Sequence, residues 1–575
     1  MKNVMKRFVI VLLFLVLAIF MFNRAPEYDL EYKYKDGDIR VIFNDVEITR
    51  DINKLPQAAM LVDGEIMFSQ DTIDILFDKN LYYEEKYETL ITTTKEHRAD
   101  LKVNSKTIEI DEKTNNLKVP PIRVNYNYQE DNRYDEIESE KRNQTKKIIY
   151  IPIQALEEVY DMTIEFKDKI IITENNQNRI RIFVAEGDSM ELKHAKDTFA
   201  KNVEIVGAGS YIDIFDYDAT KDFLYVRSET GELGYLLAEE LKNYNLAPIT
   251  TVQEENMPEK VNIAWDYIHP NATQIGAKAD REKAMPIDIV APTLIYLKNT
   301  KGDIKYNENV VTSYLDWATQ KGYRVWATFK NDEFDISETS TFLNDMERRN
   351  TAIQALIKFV KDYKVEGINV DIEWIYQKDA TVFSQFVREL CVKAKQNDIV
   401  ISVCVNVPDG SADWSLCYQQ KALSEYADYI AVMSYDQYGA SSKVAGPNAS
   451  LTWVKTNMDK LIQRDGVPSQ KILLGIPFYS RLWTLSGSSI KSKTLTMKGA
   501  KDYLNKLNEI IWSEDDGQYF YENKSGTTCL WIEENESIAK KLELVNEYDL
   551  GGTAYWMLGY ETEDIWQTIS ETLKN

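Results

Sequence analysis

The ten residues VEGINVDIEW, Val365–Trp374, decide how the larger part of this chain folds. Read as a β-strand, they place successive side chains on opposite faces. Ile368, Val370 and Ile372 share one face; Asn369, Asp371 and Glu373 share the other. The apolar face suits a strand covered by helices. The polar face suits a strand that lines an enclosed space, because burying an unpaired charge is costly and is kept only where it is compensated or used. A closed parallel barrel offers both surroundings. Glu373 comes last on the strand, nearest the C-terminal mouth where the active sites of such barrels form.

The flanking sequence repeats the unit. Strand candidates are Val261–Tyr267, Ile287–Ile295, Tyr323–Phe329, Gly367–Trp374, Ile399–Asn406, Tyr429–Tyr435, Ile472–Tyr479 and Gly552–Leu558. Helical spacing lies between several of them: Ile353, Leu356, Ile357 and Val360 recur at helical intervals, as do Phe383, Phe386, Val387 and Leu390. Eight strands alternating with helices predict a (β/α)8 TIM barrel over 259–575. The turn-rich stretch Trp483–Leu530 reads as a small α+β insertion before the last strand.

Glu366–Glu373 resembles the family 18 glycoside hydrolase signature D-G-x-D-x-D-x-E. Other strands carry the same likeness. VMSYDQYG (Val432–Gly439) resembles the family's sixth strand, LLGIPFYSRLW (Leu473–Trp483) its seventh, and GGTAYWMLGYE (Gly551–Glu561) its eighth. The resemblance implies a chitinase-like enzyme related to the bacterial spore-cortex and cell-wall N-acetylglucosaminidases. It makes Glu373 the acid for the leaving oxygen, Asp371 the partner of the substrate's acetamide N–H, and Tyr435 the donor to the acetamide oxygen. Asn369 and Asp436 become sugar contacts and Trp556 the platform under the sugar. Tyr479, Arg481 and Trp265 are further candidates for the groove. In this family the substrate's own 2-acetamido group is the nucleophile, so a single protein acid suffices. Two positions depart from the signature. Glu366 stands for the first Asp, and Asn369 for the middle acid, which leaves Asp371 to share its proton with Glu373 alone.

Ahead of the barrel the chain changes character. Lys2, Lys6 and Arg7 precede an unbroken apolar run, Phe8–Phe22, which predicts a signal anchor or transmembrane segment over 1–24. The expected result is a single-pass protein of the cell membrane with an extracytoplasmic catalytic domain; cleavage of the segment would give a secreted one. Within 25–175, Glu65–Phe77 and Ile148–Val159 read alike as a strand followed by a short amphipathic helix, a pattern resembling the "stalk" domain of exported bacterial proteins. Residues 176–245 carry five short strands and resemble a bacterial Src-homology-3-like β-barrel. Residues 246–258 read as a linker.

Composition excludes several classes. A net charge of −24 makes nucleic acid an improbable partner. Three scattered histidines and four cysteines, none in a CxxC pair, point away from a metal centre, a Ser-His-Asp triad or a disulfide framework, and no cofactor is expected. The combined expectation is an exported glycoside hydrolase that cleaves β-linked N-acetylglucosamine polymers with retention. Peptidoglycan is the first substrate and chitin-type oligomers the second. The alternative on the same barrel is a non-catalytic carbohydrate-binding or scaffold protein.

Overall fold

The computed structural model describes residues 40–48, 58–76, 81–129, 143–166, 169–174, 179–215, 221–242, 244, 246, 259–275, 285–487, 489–504 and 510–573. The expected anchor over 1–24 lies outside the described residues, as does nearly all of the expected linker. Among the described residues no helix is long and apolar enough to cross a membrane.

The chain divides into two compact units. One joins residues 1–79 to 116–252, and the other joins 80–115 to 253–575. The stretch 80–115, expected within a single domain over 25–175, therefore belongs with the barrel.

In the first unit, strand Glu65–Ser69 runs into helix Gln70–Leu76, and strand Asn143–Pro152 runs into helix Ile153–Tyr160. The two strands pair antiparallel, with Tyr150 opposite Ser69. The likeness of the two sequences is thus a likeness of two paired strand–helix units. Further along, six strands from Ile180–Phe183 to Leu233–Leu237 form one antiparallel sheet around a core that includes Leu192, Ile212, Val226 and Leu236.

The second unit is built on eight strands: β1 (Val261–Asp266), β2 (Ile289–Leu297), β3 (Arg324–Lys330), β4 (Gly367–Asp371), β5 (Val400–Asn406), β6 (Tyr429–Met433), β7 (Ile472–Pro477) and β8 (Gly552–Trp556). Each pairs parallel with its neighbours, and β8 closes onto β1. The fold is a closed (β/α)8 barrel.

Alternation on the strands sorts its core into two shells. Ile368, Val370 and Ile372 join the layer between strands and helices. Ile263, Trp265, Trp326, Cys404, Tyr429 and Ala431 fill the barrel interior. Gly367 is needed for this packing, since a Cβ there would stand 2.7 Å from Trp326 Cδ1 and 2.8 Å from Val400 O. Gly552, at φ +142°, has no such room either: a Cβ would lie 1.8 Å from Val261 O.

Two helices carry the expected spacing. Helix α1 (Met346–Tyr363) starts at Asp345, whose side chain accepts from the Glu347 and Arg348 amides, and it buries Ile353, Leu356, Ile357 and Val360. Helix α2 (Ala380–Lys395) buries Phe383, Phe386, Val387 and Leu390. Residues Leu81–Asn116 form a five-stranded antiparallel meander against these helices. Buried Arg349 on α1 donates to Glu84 of the meander at 3.1 Å and to Glu389 of α2 at 3.3 and 3.2 Å. Between β7 and β8 an antiparallel sheet of five strands with helix Met497–Leu504 spans Tyr479–Ile532, slightly wider than the expected insertion.

Several strands end earlier than their sequence periodicity predicts. β4 stops at Asp371, β6 at Met433, β7 at Pro477 and β8 at Trp556. Past those points the parallel ladder with the neighbouring strands ends.

Candidate active site

The shortened strands converge on a cavity of about 240 Å³ at the C-terminal mouth of the barrel. β4 contributes Asp371, and the residues just past it contribute Glu373. Glu373 lies beyond the regular strand, yet it still faces the cavity because Asn331 replaces the missing ladder partner. The Asn331 side-chain amide donates to the Glu373 carbonyl at 2.7 Å, and its oxygen accepts from the Glu373 amide at 3.0 Å. The next residue, Trp374, sits at φ +57°, a left-handed conformation costing a side chain other than glycine about 1–2 kcal/mol. Its ring meets Trp414 edge-on at 6.2 Å and is 58% exposed.

Charge in the cavity is unevenly balanced. Lys330, at the end of β3, is buried, and its ammonium bonds Asp371 Oδ2. It also lies 3.2 Å from Asp332 Oδ1 and 3.4 Å from Glu373 Oε1. Burial alone would lower the lysine pKa, but the three carboxylates outweigh it and hold it well above the ordinary value. Glu373 moves the other way from a normal carboxylate. Burial, and then the negative charge of Asp371, push its pKa from 4.5 up to about 7, with Lys330 opposing. Glu373 thus holds a proton at near-neutral pH. Asp371 Oδ1 is buried and has no hydrogen-bond partner in the structure, so it is an acceptor open to a ligand N–H.

The later strands bring the other expected residues to the same place. Tyr435, Asp436 and Trp556 line the cavity with Trp265 and Tyr479. Trp556 meets Trp265 edge-on at 6.1 Å. Burial keeps the Tyr435 phenol protonated far above the ordinary range. Asp436, at φ +59°, accepts from Tyr479 Oη and from Arg481 Nη2, both at 2.6 Å, so an ion pair rather than a local turn holds it.

Two signature positions turn out differently. Asn369, expected among the substrate contacts, is 1% exposed and lies one layer below the cavity. Its amide nitrogen donates to Thr328 on β3 at 3.3 Å, and its oxygen accepts from Ser402 on β5 at 2.7 Å, with Cys404 Sγ at 3.5 Å. It ties three strands together beneath Asp371. Glu366 sits at the opposite end of β4 and pairs with Arg324 at 3.1 Å, away from the chemistry.

The sequence reading passed over Lys330, Asn331 and Asp332. Alternation along Arg324–Lys330 already carried the signal, because Trp326, Thr328 and Lys330 share the inward face. The four cysteines are free and buried. Among the described residues no group of three or more His, Cys, Asp or Glu is arranged to hold a metal ion.

Residues 334–561, which run from just after β3 to just past β8, match glycosyl hydrolases family 18. The chain carries a family 18 domain. An uncharacterized glycosylase of Bacillus subtilis is 26% identical over 46% of this chain and 79% of that protein. The cortical fragment-lytic enzyme of Bacillus anthracis is 23% identical over 43% of this chain and 59% of its own length. A class V chitinase of Lotus japonicus is 24% identical over 47% of this chain and 76% of that protein. The family 18 domain contains Asp371, Glu373, Tyr435, Asp436 and Trp556; Lys330 and Asp332 precede the matched residues.

Proposed function

We propose that this chain is an exported glycoside hydrolase, held at the cell membrane by its N-terminal segment, that cleaves β-linked N-acetylglucosamine polymers of the cell wall by a retaining, substrate-assisted mechanism. The observation that carries the reading is a single proton-holding carboxyl, Glu373, beside a buried carboxylate oxygen of Asp371 that lacks a partner.

In this mechanism Glu373 donates its proton to the glycosidic oxygen as the C1–O bond breaks and the bonding pair leaves with that oxygen. The acetamide carbonyl oxygen of the same sugar attacks C1 from the opposite face and forms an oxazolinium ion. Asp371 Oδ1 accepts the acetamide N–H and stabilises the developing positive charge, and the Tyr435 hydroxyl donates to the acetamide oxygen. Trp556 stacks under the ring, and Asp436 accepts from a sugar hydroxyl. Water then attacks C1 as the C1–O bond of the oxazolinium ring breaks and its pair returns to the acetamide oxygen, Glu373 takes a proton from the water, and two inversions leave the anomeric configuration unchanged.

Peptidoglycan is favoured as substrate by the basic and apolar start of the chain and by the name of one relative, a cortical fragment-lytic enzyme. The test is to digest peptidoglycan and N-acetylglucosamine oligomers with the full chain and identify the products by mass spectrometry and by the anomer first released. New reducing N-acetylglucosamine ends of β configuration support the proposal. Saturable glycan binding without turnover overturns it in favour of a carbohydrate-binding role.

A further inference from the structure

The proposed mechanism needs one proton on the Asp371–Glu373 pair, and it needs that proton on Glu373. The signature departs at the position beside Asp371: Asn369 has no proton to share, and its amide is engaged by β3 and β5. Lys330 sits where a compensating charge would act. Its side chain is 5% exposed, and its ammonium lies within ion-pair distance of three carboxylates, on Asp371, Asp332 and Glu373. The contacts are unequal: the bond to Asp371 is short and direct, whereas Glu373 lies at 3.4 Å.

We propose that Lys330 is a positioning residue that holds Asp371 as an anion and thereby leaves the proton of the pair on Glu373. This rests on the function proposed above. A buried cation favours ionisation of whichever carboxylate it touches most closely, because Coulomb energy rises as distance falls and the low-dielectric interior screens it weakly. The remaining charges agree with this assignment. Asp332 shares the same ammonium, and Asp436 is neutralised by Arg481. The Cys404 thiol and the phenols of Tyr267, Tyr296, Tyr418 and Tyr435, which face the same groups from β2, β5, the residues just past β1 and β6, and the loop before α-helical Gln420–Tyr426, are all held neutral by burial. Lys330 is thus the cation that decides where the proton resides.

The experiment compares Lys330→Met, which keeps the apolar stem, with Lys330→Arg, which keeps the charge. The readout is the pH profile of kcat/KM on a 4-methylumbelliferyl chitobioside. The active form has Asp371 ionised and Glu373 protonated, so its pH window lies between the two macroscopic pKa values of the pair. Loss of the cation raises both, so both limbs should move to higher pH, by about one unit, in Lys330→Met and stay in place in Lys330→Arg. A fall in rate with unmoved limbs, or the same displacement in both variants, overturns the proposal. If Lys330→Met does not fold, Asp332→Asn serves instead: it removes a negative charge from the same ammonium and must move the limbs to lower pH, and unmoved limbs overturn the idea. If the wild-type chain cleaves no glycan, the proposed function fails, but the Lys330 assignment is still read from thermal unfolding. The Glu373-linked loss of stability with rising pH should then shift upward in Lys330→Met and not in Lys330→Arg, and an unshifted curve overturns it.

Discussion

The barrel unit buries two charge clusters that use similar residues for opposite ends. Beneath the meander, the guanidiniums of Arg98 and Arg349 face the carboxylates of Glu84, Asp100 and Glu389. At the mouth, the one ammonium of Lys330 faces Asp332, Asp371 and Glu373. In the first cluster Glu389 is fully buried, which alone would raise its pKa, yet Arg349 and Arg98 outweigh burial and hold it below the ordinary range. In the second, Glu373 is raised to about 7. The contrast shows that burial by itself does not make a carboxyl reactive. The ratio of cations to carboxylates and the geometry of the cation do. Planar guanidiniums bond Glu389 in pairs and hold it ionised, while burial still raises Glu84 and Asp100 at the edge of the same cluster. One lysine shared among three carboxylates leaves a surplus negative charge, which is relieved by a proton.

The comparison can be broken at its strongest point first. Glu373→Gln should retain the fold and lose about a thousandfold or more of kcat, since it removes the only proton donor the proposed mechanism has; full activity on N-acetylglucosamine oligomers would refute that role. Arg349→Met should cost about 3–5 kcal/mol of stability by leaving Glu84 without its cation and Glu389 with Arg98 alone. Urea unfolding measures that loss, and the activity that remains should keep its pH limbs, because this cluster sets structure and not chemistry. Tyr435→Phe should lower kcat by about a hundredfold with little change in the melting temperature, as expected for loss of one donor to developing charge.

The smallest expected effect sharpens the contrast most. A carboxyl whose folded-state pKa lies above its ordinary value stabilises the fold below that ordinary value. The stability it adds is lost as pH rises through the folded pKa. Glu373 should therefore make the wild type less stable at pH 8 than at pH 4.5, by about 2 kcal/mol once its partial exposure is discounted. Glu373→Gln should lack that decline and be the more stable protein at pH 8, as read by melting temperature across the range. A variant at Glu389 should show no such gain, because its carboxyl is already held ionised.

Much of the site was legible along the chain. Alternation in Val365–Trp374 placed Asp371 and Glu373 together, and the strand ends carrying Tyr435, Asp436 and Trp556 did converge on one cavity. Lys330 lay on a readable inward face, but a lone lysine ending an apolar strand does not announce which carboxylates it will meet. The family resemblance makes Asn369 a sugar contact, and alternation does not correct that, because it reports a face and not a depth along the barrel axis. The position of Glu373 depends on Asn331, whose side chain continues a ladder that the backbone of β3 no longer supplies. The attachment of the meander was not legible at all: Arg349 and Glu84 are 265 residues apart, and no local pattern links them.

By itself, then, the sequence determined the barrel, the strand that carries the acids and the residue types that line its mouth. The barrel and the acid-bearing strand follow from periodicity, which is a local property of the chain; the residues at the mouth follow from the resemblance to family 18. Only the tertiary structure decided which carboxyl keeps a proton, which asparagine is scaffold, and which buried charges hold the unit together. Those follow from distances between charges on different strands and helices, and Coulomb energies at a few ångströms in a poorly screened interior depend on spacings that no single segment contains.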